Sequence, residues 1–351
     1  MRLLTYAVAA GLGLASLAAP AGLAPALAAD ITGAGATFPL PVYAKWAEAY
    51  RRETGNSVNY QSIGSGGGVR QIRARTVDFG ATDAPLGAEA LAKDGLVQFP
   101  AVMGGVVPII NVAGIASGQL KLTGPVLADI FQGRITRWND PRIAELNAGV
   151  TLPAATITPV YRSDQSGTTN VFTGYLATVS EPWKAALGSG QSVNWPVGQG
   201  GKGNEGVAAL VRQVPNAIGY VEYAYAKPTG IPVAQLRNRA GKFVAPEARA
   251  FQAAAANADW AAAPGYAIAL TDQPGDAAWP ITTPTFILVP KNPAKPEQAA
   301  EVLRFFAWAF ERGDTLAAEL DYVPLPDNVV GLVRATWKAD LGPVAARAGI
   351  N

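Results

Sequence analysis

Three segments of this chain place glycines and small hydroxyl residues where an extended run gives way to a helical one. Unpaired backbone N–H groups gather at such points and favour negative charge. The first is Gly33-Ala34-Gly35-Ala36-Thr37-Phe38-Pro39, ahead of a helical pattern, with Thr37 adding a hydroxyl. Its plainer alternative is an ordinary N-cap and turn. The second is Gly64-Ser65-Gly66-Gly67-Gly68. Glycine lets backbone approach a ligand closely, and Ser65 offers a hydroxyl. No Gly-Lys-Ser/Thr follows, so this is not a Walker loop; a flexible turn is the alternative. The third is Arg162-Ser163-Asp164-Gln165-Ser166-Gly167-Thr168. Here an arginine, suited to tetrahedral oxyanions, stands next to a helix start rich in hydroxyls. A capping role for Ser166 and a surface charge for Arg162 are the alternatives. All three segments have the chemistry of an anion cradle.

Asp83 ends a strand pattern, Val77 to Ala81, at a place where ligand sites form in α/β proteins. A carboxylate beside an anion is paradoxical until protons are counted. Phosphate at neutral pH still carries a proton, whereas sulfate carries none. An ionised Asp accepts a hydrogen bond from the first and repels the second, which discriminates through an unpaired, repelling group. The alternative for Asp83 is an N-cap of the next helix. A further glycine cluster, Gly200-Gly201-Lys202-Gly203-Asn204, reads as a structural turn; the alternative places Lys202 near the cleft.

The chain has no His and no Cys. A Ser-His-Asp triad and a Cys/His zinc site are therefore excluded, as is any disulfide framework. A phosphatase using Ser65 or Ser166 as nucleophile lacks the usual activators. No catalytic residue, metal or cofactor is expected.

These segments need elements to hold them. Val42, Trp46 and Tyr50 recur four apart, so Pro41 to Arg52 is predicted helical, ending at Gly55. Ser57 to Ile63 alternates as a strand. Gly64 to Gly68 is expected as a loop, followed by a short helix carrying Val69 and Ile72. Further strands are predicted at 104–111, 156–161, 217–221 and 285–289. Helices are predicted at 124–131, 168–178 and 301–311, the last ending at Gly313. Strands alternating with helices indicate an α/β protein with largely parallel sheets. The length of 351 residues allows two lobes, with chain crossings expected at 104–111 and 284–289.

Hydrophobic residues make up 49% and charged residues 15%, which is globular rather than disordered composition. Residues 1–29 read as a secretory signal: Arg2, an apolar stretch from Leu3 to Ala19, and an A-x-A-type site before Asp30. Pro20 and Pro25 interrupt the run, which disfavours a membrane anchor. Without a Cys after the signal there is no lipid attachment site there, and a periplasmic location fits. The formal charge of +2 leaves the remainder near +1 once Arg2 is removed. Neither nucleic acid nor an anionic membrane is attracted by that balance, so any anion site is local.

Taken in order, these stretches resemble the periplasmic phosphate-binding proteins of phosphate-specific ABC importers. The resemblance is carried by GAGATFPLPVYAKWAEAY at 33–50, GSGGGVRQI at 64–72, VDFGATDAPL at 77–86, SDQSGTTNVF at 163–172, GGKGNEGVAALV at 200–211, AIGYVEYAYA at 217–226 and AWPITTPTFIL at 278–288. It covers about Thr32 to Lys338. It implies a type II periplasmic-binding-protein fold: lobe I from 30–104 plus 284–351, lobe II from 105–283, a hinge of two crossing strands, and phosphate in the cleft between. It implies that Thr37, Phe38 (through its backbone N–H), Ser65, Asp83, Arg162, Ser166, Gly167 and Thr168 contact phosphate. A monomer that delivers its ligand to a membrane-embedded permease is implied as well. Two positions depart from the family pattern: Tyr161 stands where a second Arg is frequent, and Gln165 where Gly is frequent. A binding protein for another oxyanion, sulfate or molybdate, is the alternative, and Asp83 argues against it.

Overall fold

A computed structural model describes residues 30–256 and 258–350. The expected signal segment, 1–29, lies outside the described residues. The chain begins with β1 (Asp30–Gly35), α1 (Leu40–Thr54), β2 (Ser57–Ser62), α2 (Ser65–Arg73), β3 (Phe79–Thr82) and α3 (Ala88–Asp94), then enters the long β4 (Leu96–Asn111). It continues through β5 (Lys121–Leu122), α4 (Gly124–Phe131), α5 (Pro141–Ala144), β6 (Thr158–Arg162), α6 (Gly167–Val179), α7 (Glu181–Ala186), β7 (Gln199–Gly201), α8 (Gly203–Gln213) and β8 (Ala217–Glu222). β9 (Gln235–Arg237), β10 (Phe243–Val244), α9 (Ala248–Ala255) and β11 (Leu270–Thr271) lead to β12 (Ile281–Pro290). Four helices close the chain: α10 (Pro296–Arg312), α11 (Asp314–Ala318), α12 (Asp327–Asp340) and α13 (Gly342–Arg347).

The hydrogen-bonded order is β2-β1-β3-β12-β4-β8-β6-β7, with β11 on β12; β10-β9-β5 form a separate small sheet. β1 runs parallel to β2 and β3, and β6 runs parallel to β7 and β8. β12 is antiparallel to β3 and to β4. β4 changes partner along its length. Up to Gly105 it pairs with β12, and from Val106 to Asn111 it pairs with β8. One continuous strand thus serves both halves of the molecule. Its residues, like those of β12, are buried almost throughout. Burial on both faces explains why both sequences read as apolar runs rather than alternating patterns.

Each half has its own aromatic centre. In the first, Phe306 of α10 meets Tyr43, Phe79 and Phe99 at centroid distances of 5.9, 5.4 and 5.6 Å, and Phe99 meets Trp337 at 5.0 Å. In the second, Phe172 of α6 stacks on Tyr220 of β8 at 4.1 Å, with Phe131 of α4 edge-on to Phe172 at 5.0 Å. Such pairs contribute about 0.5–1.5 kcal/mol each beyond area burial. They pin α1 and α6 to their sheets.

The glycine run departs from expectation. Gly64 to Gly68 is not a loop: α2 begins at Ser65 and takes in Gly66, Gly67 and Gly68. Glycine costs a helix up to ~1 kcal/mol per residue relative to alanine, yet close packing requires it here. A Cβ on Gly68 would lie 2.5 Å from the Gly35 Cα and 2.6 Å from the Ala34 carbonyl oxygen. Asp83 caps no helix, since α3 starts only at Ala88.

Candidate functional site

The turn joining β1 to α1 carries Thr37 and Phe38, both buried. Its two carbonyls are held by tyrosine hydroxyls: Tyr225 donates to the Thr37 oxygen (2.5 Å) and Tyr322 to the Phe38 oxygen (2.6 Å). In a planar trans peptide the C=O and the following N–H point in opposite directions. Tyr225 therefore fixes the direction of the Phe38 N–H, which meets no acceptor among the described residues. The Phe38 ring packs edge-on to Tyr322 at 6.1 Å.

Ser65 opens α2 and is fully buried. Its Oγ accepts from the Asp83 N–H at 3.2 Å and from the Gly167 N–H at 3.1 Å. A hydroxyl has two acceptor lone pairs and one proton. With both lone pairs filled, Ser65 retains only a donor. Gly167 sits so close that a Cβ there would collide with Ser65 Oγ and lie 2.7 Å from Asp83 Cβ. This contact spans the two halves of the molecule, as does the Gly66 N–H on the Gln165 carbonyl at 3.1 Å. Gln165 Oε1 also accepts from Arg70 at the cleft rim.

Asp83 follows β3 and is buried. Thr285 of β12 donates to its Oδ1 at 2.8 Å, while Oδ2 has no partner. Burial pushes its carboxyl up to about 7, against the opposing effects of the Thr285 hydrogen bond, the Arg162 charge and Ser65.

Arg162 ends β6, its side chain only 1% exposed. Nε and Nη2 form a fork on Asp164, at 2.7 and 2.6 Å from Oδ1 and Oδ2. Asp164 Oδ1 also accepts from the Gly203 N–H at 3.1 Å. Burial alone would raise the Asp164 carboxyl, but the Arg162 guanidinium holds it below its usual range. Arg162 Nη1 is left buried and without a partner. Ser166 caps α6, its Oγ accepting from Thr169 N at 3.0 Å. Thr168 follows, buried, in the first turn of the helix.

Several of the eight residues expected from the sequence are brought together: Ser65 bonds the N–H groups of Asp83 and Gly167, Asn204 links Thr37 to Thr168, and the Arg162 charge acts on Asp83. The chemistry of the group is asymmetric. Thr37, Ser65, Arg162 and the Phe38 N–H present donors, and Asp83 Oδ2 presents a lone acceptor. Arg162 is matched by Asp164, so no excess positive charge faces the space; fixed dipoles predominate. Several supporting residues escape a reading of the sequence. Asp164 lies inside the 163–172 stretch, yet nothing there assigns it a role. Thr285 lies in a fully buried strand, where a hydroxyl needs a partner. The cluster at 200–204 reads as a structural turn; instead Gly201 ends β7 and Gly203 opens α8, Lys202 is exposed, and the buried polar side chain is Asn204. Tyr161, in place of an arginine, stacks on Trp195 at 5.1 Å.

Two sheet-bearing halves, joined through the long strand β4 and meeting at this group of donors, define a two-lobed protein of the periplasmic binding class. Known proteins agree with that class. The model of the PBP superfamily domain matches residues 20–312. A Pasteurella multocida protein named phosphate-binding protein PstS is 57% identical over 314 residues, covering 90% of this chain and 91% of the relative. The Haemophilus influenzae protein of the same name is 54% identical, covering 90% and 95%. The crystal structure of a phosphate-binding protein from Stenotrophomonas maltophilia superposes with a TM-score of 0.67 at 22% identity, covering 88% of this chain and 94% of that one, a likeness of fold. This chain belongs to the PBP superfamily and, within it, to the family of the PstS phosphate-binding proteins.

Proposed function

We propose that this protein binds inorganic phosphate in the cleft and delivers it to a phosphate ABC importer. Thr37, Phe38, Ser65, Asp83, Arg162, Ser166, Gly167 and Thr168 form the site. The observation that carries this reading is that an acceptor, Asp83 Oδ2, and a donor, Arg162 Nη1, are each buried without a partner on residues whose charges act on one another. Buried polar groups are normally paired. An anion that also bears a proton satisfies both atoms at once: an oxygen accepts from Arg162 while its O–H donates to Asp83. Sulfate satisfies only the first. The relatives' names and the donor-rich lining support the same reading.

The protein acts as a carrier rather than an enzyme: the cleft holds and orients the ligand without a nucleophile–base pair. It works as a monomer in the periplasm. Lobe I comprises 30–104 and 284–351, and lobe II 105–283; the change of partner along β4 at Gly105/Val106 supports a hinge there. The lobes rotate about β4 and β12, and the closed form docks on the permease. Closure excludes water and strengthens each hydrogen bond to the anion. Calorimetric titration of phosphate and then sulfate into protein unfolded and refolded to strip ligand tests the assignment. One-to-one phosphate binding without a sulfate response is expected; equal affinity for both would overturn the proton-reading role of Asp83.

A further inference from the structure

Asn204 lies at the start of α8, fully buried, and reaches across the cleft. Its backbone N–H and its Nδ2 both donate to Thr37 Oγ1, at 3.2 and 2.7 Å, across 167 residues of sequence. The same Nδ2 lies 3.4 Å from Thr168 Oγ1. Its Oδ1 accepts from the Glu222 N–H at 3.1 Å, so the amide cannot turn over without setting N–H against N–H at Glu222.

We infer that Asn204 is a positioning residue that commits the Thr37 hydroxyl to donate to the bound anion. Hydrogen-bond capacity decides the polarity. Thr37 Oγ1 has two lone pairs and one proton, and Asn204 fills both lone pairs. The proton then has nowhere to point but into the cleft. Thr37 belongs to the first half of the molecule and Asn204 to the second, so this commitment exists only when the halves meet. An open cleft leaves Thr37 free to accept or donate. Closure thus supplies a donor of fixed polarity as well as excluding water, and it does so at Thr37 through a side chain that need not touch the ligand. The inference rests on the proposed phosphate site.

A double-mutant cycle on phosphate affinity, read by calorimetry on stripped full-length protein, tests it. Asn204→Ala is expected to weaken phosphate binding about threefold to tenfold, the size of one neutral hydrogen bond. In a Thr37→Val background, which has no hydroxyl to orient, the same change is expected to cost less than about twofold. In a Thr37→Ser background the full loss returns. Equal losses in the wild-type and Thr37→Val backgrounds, or no loss in the wild-type background, would overturn the inference, because a merely structural Asn204 acts independently of the hydroxyl. Thermal melts establish that each variant is folded, and Asn204→Ser passes through the same cycle with the same criteria if Asn204→Ala is not. Absence of phosphate binding by the unmutated protein would instead refute the site itself.

Discussion

Replacing Asp83 with Asn separates the stability cost of this carboxyl from its role in selectivity. In the ligand-free fold, burial raises the Asp83 carboxyl from 3.8 to about 7. The folded state therefore holds a proton more tightly than the unfolded chain does. The stability that Asp83 contributes is fully present below about pH 4, declines as pH rises toward 7, and levels off above it. A shift of ~3 units at ~1.4 kcal/mol each gives a penalty of about 4 kcal/mol for keeping Asp83 ionised. Asn resembles the protonated acid and escapes that penalty. Stripped Asp83→Asn is expected to exceed stripped wild type in stability by up to ~4 kcal/mol at about pH 8 and by little at about pH 4. Urea denaturation at both pH values measures this. Specificity changes with it: Thr285 donates to Oδ1, so the amide oxygen takes that position and the NH2 faces the ligand. The lone acceptor becomes a donor, and sulfate binding is expected to appear. Equal destabilisation at both pH values, or a variant still blind to sulfate, would refute the reasoning.

Other consequences follow from the same geometry. Arg162→Ala is expected to weaken phosphate binding by at least ~2 kcal/mol, since it removes the buried donor and strands Asp164; a calorimetric loss under ~0.5 kcal/mol would remove Arg162 from the site. Gly167→Ala drives a methyl into Ser65 Oγ, across the contact between halves. Phosphate affinity is expected to drop at least ~100-fold in calorimetric titration, because the methyl holds the halves apart. Burial holds the Glu222 carboxyl well above its usual range, opposed by hydrogen bonds from Tyr322 and the Ala224 and Tyr223 N–H groups. Glu222→Gln is accordingly expected to raise stability at about pH 8 relative to about pH 4, in paired denaturation curves.

The local part of the design is readable in the chain. Val42, Trp46 and Tyr50 lie on the buried face of α1 as their spacing requires, and the alternation of strands and helices indicates the fold class. Arg162 and the hydroxyls beside it are visible because side-chain type and helix start coincide in sequence. What stays hidden depends on contacts between distant residues. Gly64 to Gly68 read as a loop by propensity, but the approach of Gly68 to Gly35 and Ala81 makes glycine necessary in a helix there. Asn204 acts on Thr37 from the other half of the molecule, and Thr285 acts on Asp83 over 202 residues. Both look like ordinary polar residues, one in a turn and one in a strand. The two-residue strands β5, β10 and β11 are too short to leave any periodic signal.

The most direct test is a crystal structure of the protein grown with phosphate at neutral pH. Phosphate is expected in the cleft, one oxygen within hydrogen-bond distance of Arg162 Nη1 and another on Asp83 Oδ2, with the hydroxyls of Thr37 and Ser65 directed at the anion. Phosphate elsewhere on the molecule, or in the cleft with Asp83 Oδ2 still unpartnered, would contradict the account.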